Sequence, residues 1–575
     1  RNPVALLELR QDKSNVNRLI GNIQLDYKLH WLPDLRFNVN LGFDKSHGDG
    51  TINIPDSAGQ SYINGDIGSQ TSGLANKYKQ DKKNKLLDAF INYTKDIKVI
   101  RSNIDVMAGY GYQDFLIKAP QYNYVSYGKN GIIFRTRRAT ALEDENTLIS
   151  YYGRLRYTLM SKYLVTVNLR RDGSSRFNPD QRWKTFPGVS VAWVMSEEKG
   201  LKNSKVISNL KVRFGYGKTG QQDVGDSYPY IARYTVGTSS AQYQFGSAYY
   251  TVYRPVGYDY NLKWEETTSN NLGLDFGFLK GRLTGSIDLY RKKTKDLLSV
   301  IPIPAGTNFI NELLTNVGNM KNEGIEFALN ATILKRRKTT WDFGFNLTYN
   351  KNEITKLTKV NDPAYQGVLT GDISGAVGNT IQIHSVGFPR NSFFVLQQVY
   401  DSKNKPIEGL YVDRNGDGII NNNDYYRYKK PDPDLFIGIN SQVSYDKWTF
   451  STLIRSNIGG YMYNDVASGA AFSSNSLVFL YNVSASYLKT GFKNNQYFSD
   501  YFVENATFLK MDNLSVTYDF GKIMNQRATL RGSIIVQNVF TLTKYSGLDP
   551  EIAGGIDNNF YTRPRIYSLG FNLEF

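Results

Sequence analysis

The last nine residues, Tyr567 to Phe575, constrain the fold of this chain more than any other stretch. Large apolar side chains alternate there with polar or small ones, so an extended strand would carry one apolar and one polar face. The apolar positions are Tyr567, Leu569, Phe571, Leu573 and Phe575. Because unpaired strand edges are avoided, we expect this strand to find its edge partners in a ladder of similar strands earlier in the chain.

Two upstream segments show the same alternation as β-hairpins. The first runs from Leu272 to Tyr290 around a turn at Lys280-Gly281, and the second runs from Ile325 to Tyr349 around a basic turn. Runs of about ten alternating residues match a strand that crosses a membrane at a tilt. Strands of a two-sheet sandwich are commonly shorter and bury their apolar face. The hairpins therefore predict an all-β, transmembrane, antiparallel β-barrel.

The composition supports a β-barrel and argues against an α-helical membrane protein and a nucleic-acid-binding protein. The 575 residues include 42 Tyr and 50 Gly but no Cys, and the mean hydropathy is −0.43. No stretch approaches the ~20 consecutive apolar residues of a membrane helix, whereas barrel strands escape such a scan because every second residue is polar. The net charge of +17 is spread over turns and strand faces without a recognisable binding module, so we expect no nucleic acid partner.

Three arginines indicate which face of the barrel lines the lumen. Arg154 and Arg156 fall on the polar face of an alternating run, and Arg170 falls on the polar face of the run that returns after a turn at Ser161-Lys162. An arginine on the lipid face at the middle of the bilayer costs roughly 2–4 kcal/mol. We therefore expect all three side chains to face the lumen.

The spacing of the runs predicts about 17 strands, with short turns strictly alternating with long loops. The first four strands are predicted at 16–29, 35–45, 78–95 and 103–115, with long loops at 47–74 and up to 147. Residues 392–400 could add one strand within a long loop. Bacterial single-chain barrels have an even number of strands, so residues 1–575 would be the C-terminal portion of a plugged barrel of about 22 strands. The signal peptide, N-terminal extension, plug and first strands would lie outside this sequence.

Four groups of residues resemble signatures of the SusC/RagA family of TonB-dependent outer-membrane transporters. The first is Arg171-Asp172-Gly173-Ser174-Ser175-Arg176-Phe177 with Arg182-Trp183 and Phe186-Pro187. The others are Leu210-Lys211-Val212-Arg213 with Gly217-Lys218-Thr219-Gly220, Asn316-Val317-Gly318 with Asn322-Glu323-Gly324, and Gln537-Asn538 with Tyr545-Ser546-Gly547-Leu548-Asp549-Pro550-Glu551.

The resemblance implies a 22-stranded barrel with an N-terminal plug in the outer membrane of Bacteroidetes-type bacteria. It implies a SusD-like surface lipoprotein as a lid, coupling to TonB-ExbB-ExbD through the N-terminal region, contact with outer-membrane lipid, and a dimer of SusCD pairs. The implied activity is import of oligosaccharides or oligopeptides. A passive porin-like channel and a surface adhesin barrel remain as alternatives.

One loop has the residue spacing of a calcium site. Residues 413–424 resemble an EF-hand loop, in which oxygen atoms surround a hard cation. The predicted ligands are Asp413, Asn415, Asp417, the Ile419 carbonyl, Asn421 and Asp424. The last ligand is Asp rather than the longer Glu, and no flanking helices are evident, so a plain turn rich in Asn and Gly is the alternative.

Catalysis has little support in the sequence. The three histidines, His30, His47 and His384, are too scattered to suggest a triad or a zinc site, so we expect no enzyme. Tyrosines in one long loop could stack on sugar rings or simply pack within the loop. These tyrosines are Tyr249, Tyr250, Tyr253, Tyr258 and Tyr260.

Overall fold

The computed structural model describes residues 3–55, 58, 71–119, 123–128, 133–138, 142–225, 227–237, 242–303, 310, 312–358, 365–374, 378–469, 484–558 and 562–575. The largest sheet has 19 strands, of which two form a short hairpin at Asn123–Gly128 and Ile133–Arg138. The other 17 strands form one antiparallel wall, which confirms the predicted number and class.

The 17 wall strands are numbered here in chain order. They are β1 Gln11–Lys28, β2 Leu35–Ile54, β3 Thr71–Ile97, β4 Ser102–Ala119, β5 Leu142–Leu159, β6 Tyr163–Ser174, β7 Trp183–Val194, β8 Ile207–Gln221, β9 Glu265–Phe278, β10 Leu283–Lys295, β11 Asn319–Lys335, β12 Thr339–Lys356, β13 Leu435–Tyr445, β14 Trp448–Ile458, β15 Phe508–Ile523, β16 Ala528–Thr543 and β17 Ile566–Glu574.

Each wall strand pairs with the next one in sequence. This order follows from the short turns, which hold consecutive strands antiparallel. In the turn after β9, for example, Leu279, Lys280 and Gly281 all have positive φ, and Gly281 donates its amide to Phe278. Within the described residues, β1 pairs only with β2 and β17 only with β16.

The two faces of the wall differ in polarity. On β12 the apolar face carries Trp341, Phe345 and Tyr349, and its exposed residues belong to a band of large apolar side chains that spans many strands. An exposed apolar surface of this extent is not tolerated in water and marks contact with lipid. The opposite face is polar, and it holds Arg154 against Asp105 at 3.0 Å and Arg170 against Asp172 at 2.7 Å.

The predicted alternation of short turns with long loops is confirmed with one exception. The loop at 175–182, on the long-loop side, is shorter than the connection at 195–206 on the other side, which includes a 3₁₀ turn at Met195–Glu197. The long-loop side otherwise carries connections up to 357–434. By the rule for bacterial barrels, that side is extracellular.

Several strands extend further outward than predicted. β2 continues to Ile54, so residues 47–54 are strand rather than loop, and they pair with β1 and β3. β3 likewise begins at Thr71, and β5 begins at Leu142. These extensions are mostly polar, with Ile52, Ile54, Leu74 and Leu142 as their large apolar residues, so none of them carries an alternation long enough to identify it as strand. The rest of the predicted loop, at 56–57 and 59–70, lies outside the described residues.

Short elements fill the long connections. Strands lie at Arg233–Val236, Gln242–Phe245, Ala248–Thr251, Tyr253–Val256, Leu298–Pro302, Glu312–Asn316, Val368–Asp372, Thr380–His384, Ser392–Val395, Gln398–Tyr400, Pro406–Tyr411, Tyr426–Arg427, Tyr461–Asn464, Val503–Asn505 and Ile556–Asp557. Among the described residues, helices lie there at Asp465–Ser468 and Ser486–Thr490, with 3₁₀ turns at Asn422–Asp424, Asp500–Phe502 and Ala553–Gly555. The helix Pro3–Glu8 precedes β1, and a 3₁₀ turn at Lys98–Ile100 lies in the short turn between β3 and β4. In the described part of the chain, no helix is both long and apolar enough to cross a bilayer.

Candidate functional site

Three extracellular connections fold together into one body, which we call the cap. It comprises the described residues of 357–434, 459–507 and 544–565. Tyr461–Asn464 pairs with Val503–Asn505 on one edge and with Ile556–Asp557 on the other, so the second and third connections share a sheet. The Gln382 side-chain amide donates to the Gly554 carbonyl at 2.6 Å and ties the first connection to the third.

The cap has its own hydrophobic core, and this core is drawn from distant parts of the sequence. Phe393 and Val395 from the first connection are fully buried against residues of the second. The remaining buried members are Ile373, Ile381, Tyr463, Ala467, Phe492, Phe502 and Val503. Residues 392–396 are all buried, without alternation, so this segment is a cap strand and not an additional wall strand.

Buried polar groups join the first two connections of the cap. The side-chain amide of Gln398 donates to the carbonyls of Ile407 and Leu410, and its oxygen accepts from the Ser499 hydroxyl at 2.7 Å. The Asp500 carboxylate accepts from the Tyr426 hydroxyl at 2.6 Å. Burial raises the pKa of Asp500, and the hydrogen bond from Tyr426 opposes that rise. Satisfied buried networks of this kind fix one arrangement of the loops.

The first family signature builds a second, smaller core beside the wall. Phe177, Phe186, Leu262 and Trp264 are buried together, and the Trp264 ring nitrogen donates to the Arg182 carbonyl at 2.9 Å. Gly173 lies so close to the Trp183 ring that a Cβ would approach it to 2.8 Å. The signature is therefore structural, because it joins the 175–182 and 222–264 connections.

The third signature joins the 222–264 connection to the 296–318 connection. The Asn316 side-chain amide donates to the carbonyls of Lys263 and Asp296 at 2.8 Å, and its oxygen accepts from the Lys263 amide at 2.7 Å. One side chain thus satisfies three backbone groups, two of Lys263 and one of Asp296. Replacing it by an apolar residue would leave those groups unpaired.

The fourth signature bridges the cap and the wall. Glu551, in the third connection, forms a two-pronged ion pair with Arg455 on the polar face of β14, and Arg455 also binds Asp512. Lys510 and Arg563 lie 3.6 Å from the same carboxylate. Burial alone would raise the pKa of Glu551, but hydrogen bonding and charge from Arg455 outweigh it and hold the pKa below its usual value. The bridge therefore keeps Glu551 ionised.

The predicted calcium loop lies at the surface of the cap as a compact turn. Asp413 accepts the amides of Gly416 and Gly418, both at 2.7 Å, and Asp424 accepts those of Arg414 and Asn421, both at 2.8 Å. The other predicted ligands also have partners within the loop: Asn415 with Asp417, Asp417 with the Ile419 amide, and Asn421 with the Ile419 carbonyl and the Asn423 amide. In the described part of the chain, no three Asp, Glu or His side chains gather closely enough to hold a metal. Calcium binding stays a prediction.

The histidines lie far apart in the fold and have separate partners. His30 contacts the Tyr27 hydroxyl at 3.2 Å, His47 contacts Asp81 at 2.6 Å, and His384 contacts Asn391 at 2.5 Å. The predicted loop tyrosines Tyr249, Tyr250, Tyr253, Tyr258 and Tyr260 are each 44% to 63% exposed, so packing within the chain leaves them accessible.

Sequence reasoning missed the cap as a unit, including the buried pair of Gln398 and Ser499. The one local signal was the run Ser392-Phe393-Phe394-Val395-Leu396, which has four consecutive large apolar residues without alternation. A short continuous apolar run is typical of a strand buried on both faces.

The fold and its extracellular cap define a class: a transmembrane barrel whose long loops form a body at the extracellular end. Residues 6–409 match the family model described as TonB dependent receptor-like, beta-barrel. The chain therefore belongs to the TonB-dependent receptor β-barrel family, within its SusC/RagA group. Proteins of this family are receptors and transporters of the bacterial outer membrane and are not enzymes.

Two curated relatives and one solved structure show the extent of the similarity. The chain is 42% identical to the TonB-dependent receptor SusC of Bacteroides thetaiotaomicron, over 100% of this chain and 57% of that protein. It is 27% identical to TonB-dependent receptor P3 of Formosa agariphila, over 100% of this chain and 60% of that protein. A structure of the RagAB peptide transporter superposes with a TM-score of 0.81 at 22% identity, over 99% of this chain and 63% of that chain. The chain thus spans less than two thirds of each relative.

Proposed function

We propose that this chain is the barrel portion of an active outer-membrane importer of the SusCD type, which takes up oligosaccharides or oligopeptides. The observation that carries the proposal is the 42% identity to SusC along the whole chain. The similarity of the fold to the RagAB peptide transporter is consistent with it. In this proposal a plug closes the lumen, and TonB-ExbB-ExbD supplies the energy.

The partners are part of the same proposal. A SusD-like lipoprotein would cover the extracellular end as a lid, and two such pairs would form a dimer. The accessible tyrosines between β8 and β9 suit contact with either a sugar ring or a protein surface. Affinity purification of the full-length protein from outer membranes would recover the lipoprotein in equal amount; recovery of the barrel alone would contradict this part.

Uptake measured in cells separates the three candidate activities. A strain that lacks the full-length gene would be compared with its parent for accumulation of labelled oligosaccharides and labelled oligopeptides, each with and without TonB. An active importer loses accumulation in both deletions, and the cargo class that is lost identifies the substrate. A porin would continue to pass the cargo without TonB. An adhesin would affect attachment and leave accumulation unchanged.

We also propose that residues 413–424 bind calcium and thereby stiffen the cap. The support is the ligand spacing, together with Asp413 accepting the Gly418 amide, an arrangement that would orient the first carboxylate of such a loop. Calcium should raise the melting temperature of the full-length protein, and the double variant Asp413→Ala/Asp417→Ala should abolish that rise. Asp401→Ala is a matched control, because Asp401 accepts backbone amides in another cap turn. An equal response of both variants to calcium would refute the site.

A further inference from the structure

The lipid-facing surface of β8 to β12 carries a shallow groove at the extracellular edge of the apolar band. Five apolar side chains form its floor, and ladder pairing places them side by side on five consecutive strands. They are Phe214, Leu272, Leu289, Ile325 and Tyr349, and each is between 43% and 49% exposed. The groove has a volume of about 420 Å³ and reaches Arg291, Glu323 and Lys351 at its upper side.

Charged side chains cap this floor on the extracellular side. Two residues nearer the extracellular end of each strand, the next row of paired residues places Arg291 beside Glu323, and Glu323 beside Lys351. The row above it carries Lys293, Lys321 and Glu353. The first charged row lies only about 7 Å from the apolar floor along the strands. The surface therefore changes from apolar to charged within the length of one amphiphile.

These two charged rows, which we call the rim, carry a net positive charge. On β10 to β12, four cations face two carboxylates across the two rows. Arg291 binds Glu323 at 2.8 Å, and Lys321 lies 3.4 Å from Glu323 and 3.7 Å from Glu353. Among the ion pairs of the described chain, neither Lys293 nor Lys351 takes part in one. Both carboxylates are thus engaged, and two lysines are left for an external anion.

The occupant must satisfy both parts of the surface. A molecule that touches the floor lies in hydrocarbon, and its polar end lies at the headgroup level against lysine and arginine, where phosphate is the preferred counter-ion. The floor extends across four strand spacings, about 19 Å. That width suits a lipid with several acyl chains better than a two-chain lipid. The long loops place this edge in the extracellular leaflet.

We infer that this groove binds a phosphorylated, multiply acylated glycolipid of the outer leaflet. The acyl chains cover the Phe214 to Tyr349 row, and the phosphate is held by Arg291, Lys293 and Lys351, with Glu323 positioning the Arg291 guanidinium. The contact would anchor β8 to β12 at a fixed depth. It does not depend on the cargo or on TonB, so it can hold whether or not the proposed transport is correct.

The test uses the full-length protein in nanodiscs that contain a trace of phosphorylated glycolipid, and native mass spectrometry counts the bound lipid. The variant Arg291→Gln/Lys293→Gln/Lys351→Gln should reduce the bound fraction about tenfold at equal lipid. Lys292→Gln is the matched control, because Lys292 is adjacent in sequence but lies on the polar face over the Tyr290 ring. It should leave binding unchanged. A folded-barrel assay, by the gel mobility of heated and unheated samples, confirms that both variants are intact.

Three outcomes would overturn the inference. The first is equal glycolipid binding by the triple variant and the parent. The second is equal loss in the Lys292→Gln control. The third is a two-chain anionic phospholipid, or a dephosphorylated glycolipid, that competes as well as the phosphorylated glycolipid, since the groove would then not recognise the proposed occupant.

Discussion

The wall and the cap bury their apolar side chains in different ways. On β12, large apolar residues occupy every second position and remain exposed or partly exposed to the surroundings of the protein, whereas residues 392–396 of the cap are buried without interruption. Lipid covers the apolar face of the wall, so the alternation that identifies each strand is complete within about ten residues. The apolar residues of the cap are covered by other segments of the chain, so the sequence pattern of the cap is divided among three connections.

This difference implies different responses to substitution. A wall strand should tolerate changes on its polar face and not on its lipid face. The cap should lose order as a unit when one core residue is removed, while the wall remains assembled. Three variants, ordered by the size of the expected effect, test this division.

The largest effect is expected in the cap core. Phe393→Ala removes a fully buried ring and should lower cap stability by about 3–5 kcal/mol. Limited proteolysis of the full-length protein should then cut within 357–434 and 459–507, while the barrel keeps its heat-sensitive gel mobility. Ile407→Ala, at an exposed cap position, serves as the control. Loss of the barrel together with the cap would show that the two regions are not separable.

The next largest effect is expected on the lipid face of the wall. Phe345→Arg introduces a charge near the middle of the β12 apolar run and should cost roughly 2–4 kcal/mol. The adjacent Asn346→Arg faces the lumen and should cost much less. The measurement is the urea midpoint of barrels folded in lipid vesicles. Similar midpoints for the two variants would contradict the assignment of the faces.

A smaller, pH-dependent effect is expected where cap and wall meet. Since Arg455 lowers the pKa of Glu551, the bridge contributes fully above the usual glutamate pKa of about 4.3 and is lost as the pH falls through the lowered value. We expect a contribution of about 1 kcal/mol, because both side chains remain a quarter exposed. Amide exchange of 544–558 should accelerate on acidification in the parent protein.

The variant Glu551→Gln supplies the control for this pH dependence. Its exchange should already be fast at neutral pH and should change little on acidification. A parent protein whose third connection exchanges equally at pH 6 and pH 3.5, after correction for intrinsic rates, would show that the bridge does not hold the cap to the wall.

The sequence predicted the wall because its evidence is local. Alternation identified the hairpins and the polar positions of Arg154 and Arg170, and the count of 17 strands is confirmed. It could not predict residues 47–54 as strand, because Ile52 and Ile54 are the only large apolar residues of that extension and are too few to show an alternation. The ladder with β1 and β3 holds the extension in place, and such pairing is not visible within one segment.

The cap could be predicted only in fragments. Phe177 and Glu551 belong to the family signatures. The residues around them in the sequence do not show that Phe177 packs against Trp264 or that Glu551 contacts Arg455. These partners lie far apart in the sequence, and each contact depends on the wall that brings the loop ends together. The same dependence explains why residues 392–400, which form two cap strands, resemble an additional wall strand in the sequence.

A cysteine scan distinguishes the lipid-covered wall from the protein-covered cap, because this chain contains no cysteine. Single cysteines at positions 341–349 of β12 and 392–396 of the cap would be labelled in lipid vesicles with a water-soluble maleimide. This division between wall and cap predicts labelling that alternates with period two along β12, protected at Phe343 and Phe345 and reactive at the exposed positions Asp342 and Asn346, and uniform protection across 392–396. Uniform labelling along β12, or alternation within 392–396, would contradict it.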